Sequence, residues 1–152
     1  RKIRDMKIFC DTNIIIEFLC RREQANLIER ILRFEPDQNQ YFISIGSFYT
    51  ITFIIEKYLR KKTELSVDQR LEKLREILLS ILYDFNLASL PLQNLKQGVN
   101  DSRYIDLEDS YQYQAAISSQ CDVLLTINKK DFSLSDILSI CTPQEFIEKY
   151  LV

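Results

Sequence analysis

Short apolar runs alternate with segments of helical periodicity along most of this chain. The first run, Lys7–Cys10, is followed by a polar turn and then by apolar residues at helical spacing, which predicts a strand, a turn and a helix. The later runs that predict strands are Tyr41–Ser44, Phe85–Leu90, Asp122–Thr126 and Ile137–Cys141. Strands that alternate with helices favour a parallel sheet with helices on both faces. The sequence therefore predicts an α/β fold with about four to five strands.

Helix signals occupy the intervals between these runs. Phe48–Leu59 is apolar nearly all round, and its length favours a buried helix over a strand. The clearest helix starts are two capping boxes, Ser66–Gln69 and Thr142–Glu145, the second with proline at the first helical position. Asp106 is placed to cap a further helix, which contains Asp109.

The composition indicates one compact domain. The chain has 152 residues, 46% of them hydrophobic, with 2 Gly and 3 Pro, and no Pro/Gly/Ser-rich stretch divides it. We therefore expect a single domain over residues 7–152, with residues 1–5 as an extension that carries no fold information. No apolar run approaches the length of a membrane span, so the sequence predicts a cytoplasmic protein without a membrane partner.

The chain contains no histidine, and this excludes several kinds of chemistry. A Ser-His-Asp triad, a Cys-His dyad and most catalytic zinc sites all need an imidazole. The four cysteines lie far apart without a C-x-x-C pair, so neither a zinc site nor a redox motif is indicated. The chemistry that remains available to this chain is that of its carboxylates. The formal charge of −2 means that an RNA partner would need local basic residues and a metal ion.

Acidic and amide side chains stand where the predicted fold would bring them to one edge of the sheet. Asp11 directly follows the first strand, and Asn128 and Asp131 follow the strand that ends near Thr126. The helix before that strand opens with three further acids, Asp106, Glu108 and Asp109. In parallel sheets the ligand site lies beyond the carboxyl ends of the strands. Converging carboxylates are usually neutralised by a hard divalent cation such as Mg²⁺, which suits phosphodiester cleavage.

Four segments resemble, in order and spacing, the motifs of the PIN-domain family. They are Asp11–Leu19, Asp106–Gln112, Leu125–Phe132 and Thr142–Phe146. The resemblance spans nearly the whole chain and implies a parallel sheet flanked by helices. Many members are Mg²⁺-dependent ribonucleases, including the VapC-type toxins of bacterial toxin–antitoxin pairs, so the resemblance also implies an RNA-cleaving role.

The resemblance assigns roles to individual residues. Asp11 matches the first acid of the family, Asp109 the third, and Asn128 or Asp131 the region of the fourth. Asp11, Asp109 and Asp131 are thus the predicted ligands of Mg²⁺ or Mn²⁺, and Asn128 is a further candidate catalytic residue.

One position departs from the pattern of the family. The second acid usually lies early in the helix after the second strand, where this sequence reads Ser47–Thr52 without an acid. Glu56 is about two turns farther along, roughly 9 Å at 1.5 Å per residue, so it is a poor substitute. Glu108 is the candidate for a compensating catalytic carboxylate, although neighbours in a helix do not face the same way.

Three residues are candidates for binding the substrate. Thr126 is placed to act as a hydroxyl donor, and Lys129 and Lys130 lie beside the predicted site, where they suit phosphate contacts. Each site residue also has a purely structural interpretation. Asp11 and Asp106 are helix caps by position, and Asn128 and Asp131 lie in a polar turn where such residues are common.

The sequence thus favours a Mg²⁺-dependent endoribonuclease that hydrolyses single-stranded RNA. A toxin role, a small antitoxin protein as partner and a homodimer are implied by the resemblance alone. The alternative is a non-catalytic PIN module that binds RNA or a protein partner, because the second acid is missing. A receiver-like phosphoacceptor domain fits less well, since the third predicted strand ends Ser89-Leu90-Pro91 without an aspartate to phosphorylate.

Overall fold

A computed structural model describes residues 5–62, 64–132 and 135–151 of the chain. The described residues form one sheet of five parallel strands in the order β3-β2-β1-β4-β5. The strands are β1 Lys7–Cys10, β2 Gln40–Ser44, β3 Asn86–Ala88, β4 Val123–Leu125 and β5 Ser139–Cys141. The predicted α/β fold with a parallel sheet is confirmed.

Helices connect the strands. Within the described residues there are seven α-helices, namely α1 Thr12–Leu19, α2 Ala25–Leu32, α3 Ile45–Arg60, α4 Val67–Asp84, α5 Leu92–Asn100, α6 Leu107–Ser118 and α7 Pro143–Tyr150. Both predicted capping boxes are present, at Ser66 before α4 and at Thr142 before α7. None of the described helices combines the length and apolarity that a membrane crossing requires.

The sheet has a hydrophobic cluster on each face. Ile8 and Cys10 of β1 point into the cluster formed with α1, α2, α3, α4 and α7, whereas Phe9 points into the cluster formed with α6. Helix α5 packs against α6 on the second face, where Gly98 allows a close approach. This two-sided burial explains why the strands are continuously apolar rather than alternating. The prediction of helices on both faces is confirmed.

Several predicted boundaries need correction. Helix α3 begins at Ile45 rather than near Phe48, because the hydroxyl of Ser44 accepts from the backbone N–H of Ser47 and caps the helix. Strands β3 and β5 are shorter than the apolar runs that predicted them. The predicted extension, residues 1–5, lies outside the described residues except for Asp5.

The register of the sheet places two polar residues side by side at its carboxyl edge. Cys10 of β1 is aligned with Leu125 of β4, so the next residues are Asp11 and Thr126. The backbone N–H of Asp11 continues the ladder by donating to the carbonyl oxygen of Leu125 at 3.0 Å. This edge is where the sequence predicts the site.

Candidate active site

Asp11 lies at the end of β1 and is 6% exposed. Its Oδ1 accepts from the backbone N–H of Thr12 at 2.8 Å and from Nε2 of Gln112 at 3.2 Å, and its Oδ2 accepts from Oγ1 of Thr126 at 2.8 Å. Burial raises the pKa of Asp11 above its usual range, while these three hydrogen bonds act in the opposite direction. Asp11 therefore caps α1 and also presents a constrained carboxylate at the sheet edge.

Thr126 follows β4 and is completely buried. Its Oγ1 lies 3.2 Å from the backbone N–H of Asn128 and 3.5 Å from Nδ2 of Asn13, and both of these atoms donate to it. Its own proton is therefore available for Asp11. The structure places the predicted hydroxyl donor against the first acid and away from solvent, so Thr126 orients Asp11.

Asp109 lies in the first turn of α6, half-buried. Its pKa is raised to about 7 by burial and by the negative charges of Asp106, Asp11, Asp131 and Glu108, in that order of importance. Because the charge of Asp11 is among these causes, the two carboxylates lie within electrostatic reach of each other. Their metal-binding role remains a prediction.

The two other acids at the start of α6 differ in placement. Asp106 is the helix cap, as predicted, because its Oδ1 accepts from the backbone N–H of Glu108 at 2.9 Å. Glu108 is exposed and lines the cleft beside the site. Neighbouring side chains on a helix point about 100° apart, so Glu108 and Asp109 do not face the same way.

A short 3₁₀ turn, Lys129–Asp131, follows β4 and carries the fourth candidate acid. The charge of Asp131 raises the pKa of both Asp11 and Asp109, so this exposed carboxylate lies near both. Asn128 is also exposed, and its backbone N–H is what contacts Thr126.

The two lysines of this turn have different surroundings. Nζ of Lys129 lies 2.9 Å from Oε2 of Glu145 in the first turn of α7, so Lys129 is directed at that helix. Lys130 is exposed and lies next to Asp131. Lys130 is therefore the better placed of the two for a phosphate contact.

The sequence interpretation missed Gln112, which is 7% exposed at the centre of the site. Besides Asp11, its Nε2 contacts Oγ of Ser47 at 2.8 Å and Oγ1 of Thr12 at 3.3 Å, and its Oε1 accepts from Oγ of Ser44 at 2.5 Å. The available signal was its spacing: Gln112 follows Asp109 by three residues and so shares its helix face. A polar side chain on that buried face needs partners.

The structure also bears on the missing second acid. Ser47 lies buried in the first turn of α3, and half-buried Thr50 stands one turn farther along. Glu56 forms an ion pair with Arg60 at 3.2 Å on the same helix, so its carboxylate is engaged elsewhere. The first turns of α3 contribute hydroxyl groups and no charge to the site.

A cleft with a volume of about 420 Å³ opens beside these residues. It lies between the start of α3, the end of β3 and the start of α6. Its lining includes Ser44, Ser47, Leu90, Glu108, Tyr111 and Gln112. The cleft reaches the site through Gln112, which contacts Asp11, whereas Asp11 itself does not line it.

The donor set is compatible with a magnesium ion held by few protein ligands. Among residues 5–62, 64–132 and 135–151, no three acidic or thiol side chains are grouped closely enough to hold a metal by themselves. Mg²⁺ commonly binds through one or two carboxylates and keeps several waters. Asp11 and Asp109 supply two carboxylates, and the pKa of Asp109 is raised by burial and then by neighbouring negative charges, which a cation would offset. The residues fit such an ion.

Solved structures of the same fold come from toxin–antitoxin systems. VapBC2 from Rickettsia felis bound to a promoter DNA fragment superposes with a TM-score of 0.64 at 16% identity, over 90% of this chain and 98% of that chain. A toxin–antitoxin complex from Klebsiella pneumoniae superposes with a TM-score of 0.62 at 24% identity, over 90% of this chain and 97% of that chain. DNA-bound VapBC from Salmonella typhimurium superposes with a TM-score of 0.65 at 15% identity, over 91% of this chain and 98% of that chain. At these identities the likeness establishes the fold.

Comparison with curated proteins found no match. Residues 7–130 match the sequence profile of the PIN domain, which covers β1 to the turn after β4 and so includes every candidate acid except Asp131. The chain belongs to the PIN-domain family.

Proposed function

We propose that this chain is a Mg²⁺-dependent endoribonuclease that hydrolyses phosphodiester bonds of single-stranded RNA. The observation that carries the proposal is the buried carboxylate of Asp11 at the carboxyl edge of the sheet, held there by Thr126 and Gln112, with the charges of Asp109 and Asp131 close by. Neighbouring carboxylates favour a bound cation. A phosphodiester is also negatively charged, so a cation is needed to offset its repulsion by the acids.

The chain supplies binding and orientation. A bound Mg²⁺ would polarise the phosphate and lower the pKa of a water molecule. Asp11 and Asp109 would hold the ion, and Thr126 and Gln112 keep the Asp11 carboxylate in one orientation. Lys130 would offer a positive charge to the RNA backbone, and the cleft lined by Glu108 would receive the strand.

A toxin role with a small antitoxin partner is the biological setting we propose. Its support is that solved structures of the same fold include toxin–antitoxin complexes. A homodimer belongs to the same proposal.

The test is cleavage of a single-stranded RNA by the purified protein with Mg²⁺ or Mn²⁺. We expect slow cleavage that a chelator abolishes and that excess divalent ion restores. RNA binding without cleavage at every divalent concentration would instead support the second candidate, a non-catalytic PIN module. The observation that favours this alternative is the uncharged start of α3, where Thr50 stands in place of an acid.

A further inference from the structure

A neutral hydrogen-bond network joins Asp11 to the first turn of α3. We infer that Gln112 is the positioning residue of the site: its amide fixes the orientation of the Asp11 carboxylate and determines which oxygen is left for a cation. The inference rests on the proposed function, because it concerns how the first acid is presented to a metal ion.

The contacts fix the direction of the Gln112 amide. Its Nε2 lies 3.2 Å from Oδ1 of Asp11 and 2.8 Å from Oγ of Ser47, while its Oε1 lies 2.5 Å from Oγ of Ser44. A flipped amide would place Oε1 against the Asp11 carboxylate, where neither oxygen has a proton to share. Gln112 can therefore only donate to Asp11.

The two protons of Gln112 Nε2 are shared among Oδ1 of Asp11, Oγ of Ser47 and Oγ1 of Thr12, and the single proton of the Ser44 hydroxyl goes to Oε1. Ser47 accepts from Gln112, so its own proton can go to Oγ1 of Thr12 at 2.6 Å. The amide of Gln112 is thus held from two helices, α1 and α3, and from the end of β2. A side chain held at so many points keeps one rotamer, which a single hydrogen bond at the protein surface would not achieve.

Counting lone pairs identifies the free oxygen of Asp11. Each carboxylate oxygen can accept about two hydrogen bonds. Oδ1 already accepts from Thr12 N–H and Gln112 Nε2, whereas Oδ2 accepts only from Thr126. Oδ2 therefore retains one acceptor position. Asp11 would bind a cation through Oδ2 alone, and the donors on Oδ1 would keep that geometry constant.

This arrangement explains how the site can be ordered without the second acid. A carboxylate at the start of α3 would contribute charge to the site directly. In this chain the first turn of α3 instead contributes Ser47, which acts on Asp11 through Gln112. Asp11 is therefore held in one orientation, and the site has one negative charge fewer than a site with an acid at the start of α3.

The experiment measures Mn²⁺ binding to the whole protein by calorimetry, so its main readout does not depend on RNA cleavage. Gln112→Met keeps the approximate size and shape of the side chain and deletes the donor. We expect Mn²⁺ to bind about 10- to 100-fold more weakly, the usual effect of losing a group that orients a metal ligand. Cleavage rates should fall in parallel.

Gln114→Met is the matched control. Gln114 is on the same helix, is also 7% exposed, and has its Oε1 bonded by Nδ2 of Asn94 at 3.0 Å, away from Asp11. It should lower the melting temperature by a similar amount and leave Mn²⁺ affinity unchanged. A loss of affinity in both variants would assign Gln112 to general stability and overturn the inference.

The outcomes separate the two proposals. If the wild-type protein binds no Mn²⁺ at any concentration, the proposed metal-dependent function fails. If the wild type binds Mn²⁺ and Gln112→Met binds it equally or more tightly, only the positioning role fails. Should Gln112→Met not fold, Ser47→Ala removes the hydroxyl that holds Nε2 and should weaken Mn²⁺ binding in the same direction, whereas unchanged affinity there would also overturn the inference.

Discussion

Oδ2 of Asp11 and Oγ1 of Thr126 are joined by a 2.8 Å hydrogen bond between the ends of two neighbouring parallel strands. Both residues are buried, and Thr126 receives two other hydrogen bonds, so its proton is committed to the carboxylate. Because the bond joins the ends of β1 and β4, the sheet itself fixes the position of the Asp11 carboxylate. Sites built on rigid elements hold their geometry better than sites on loops.

The first prediction is that Asp11→Asn abolishes RNA cleavage, because it removes the charge of the first acid and keeps the size of its side chain. Asparagine keeps the oxygen that caps α1, but its amide nitrogen replaces Oδ2 opposite Thr126, whose proton is committed, so the variant should also lose about 1–3 kcal/mol of stability. The measurement is a cleavage assay beside thermal unfolding.

Asp122→Asn is the control for this substitution. Asp122 precedes β4 at the opposite edge of the sheet, where its Oδ2 accepts from the backbone N–H of Lys7 at 2.9 Å. Cleavage should be unaffected by it. If Asp11→Asn cleaves RNA at the wild-type rate, Asp11 is only a helix cap.

The second prediction concerns pH. The pKa of Asp109 is raised from 3.8 to about 7 in the folded protein, so the folded state binds more protons than the unfolded state between these values. The free energy of unfolding should therefore fall as the pH rises from about 4 to about 7. Asp109→Asn should remove this contribution, so its melting temperature should exceed that of the wild type at pH 8 and match it at pH 4.

The size of that difference is limited by solvent. Asp109 is only half-buried, so we expect a gain of at most about 1 kcal/mol, or about 2–4 °C, which should shrink in high salt. Glu108→Gln on the same helical turn is the control, and because Glu108 is exposed it should change the melting temperature less. A lower melting temperature for Asp109→Asn at pH 8 would contradict the electrostatic argument.

The sequence predicted the parts of the site that follow from strand ends. Asp11 and Thr126 directly follow buried apolar runs, so the topology of a parallel sheet is enough to bring them together. The helix cap at Asp106 has a local signature and was also predictable. These inferences need only chain order and hydrophobic pattern.

The parts that were missed depend on side-chain contacts between distant segments. Gln112 bonds residues that are 65 and 101 positions away in the chain, and no local pattern reports such contacts. The start of α3 was misplaced because Ser44 and Ser47 are both acceptable caps, and only the buried position of Ser44 at the end of β2 decides between them. The ion pair of Lys129 with Glu145 likewise requires the packing of α7.

The third prediction is that Lys130→Ala weakens RNA binding in a salt-dependent manner. Losing one phosphate contact should lower the slope of log affinity against log salt by about 0.7 for a single strand. Lys73→Ala, an exposed lysine of α4 on the other face of the sheet, should leave the slope unchanged. Equal slopes for the wild type and Lys130→Ala would remove Lys130 from the RNA-binding surface.

The last prediction tests whether the missing acid limits the activity. Thr50 lies one turn beyond Ser47, which contacts both Thr12 and Gln112, so a longer acidic side chain at position 50 starts close to the site. Glutamate is a better helix former than threonine, so Thr50→Glu should not impair folding. An added carboxylate raises the charge of the metal site, and we expect Mn²⁺ affinity to increase on the order of tenfold, with faster RNA cleavage.

Thr52→Glu is the matched control for that substitution. Thr52 is on the same helix but about 200° around its axis from Thr50, and its hydroxyl donates to the carbonyl oxygen of Phe48. An acid there has the same effect on net charge without adding a ligand, so Mn²⁺ affinity should stay at the wild-type value. If both variants gain affinity equally, net charge is the cause. If neither gains, the hydroxyl groups and Gln112 already satisfy what the site requires from α3.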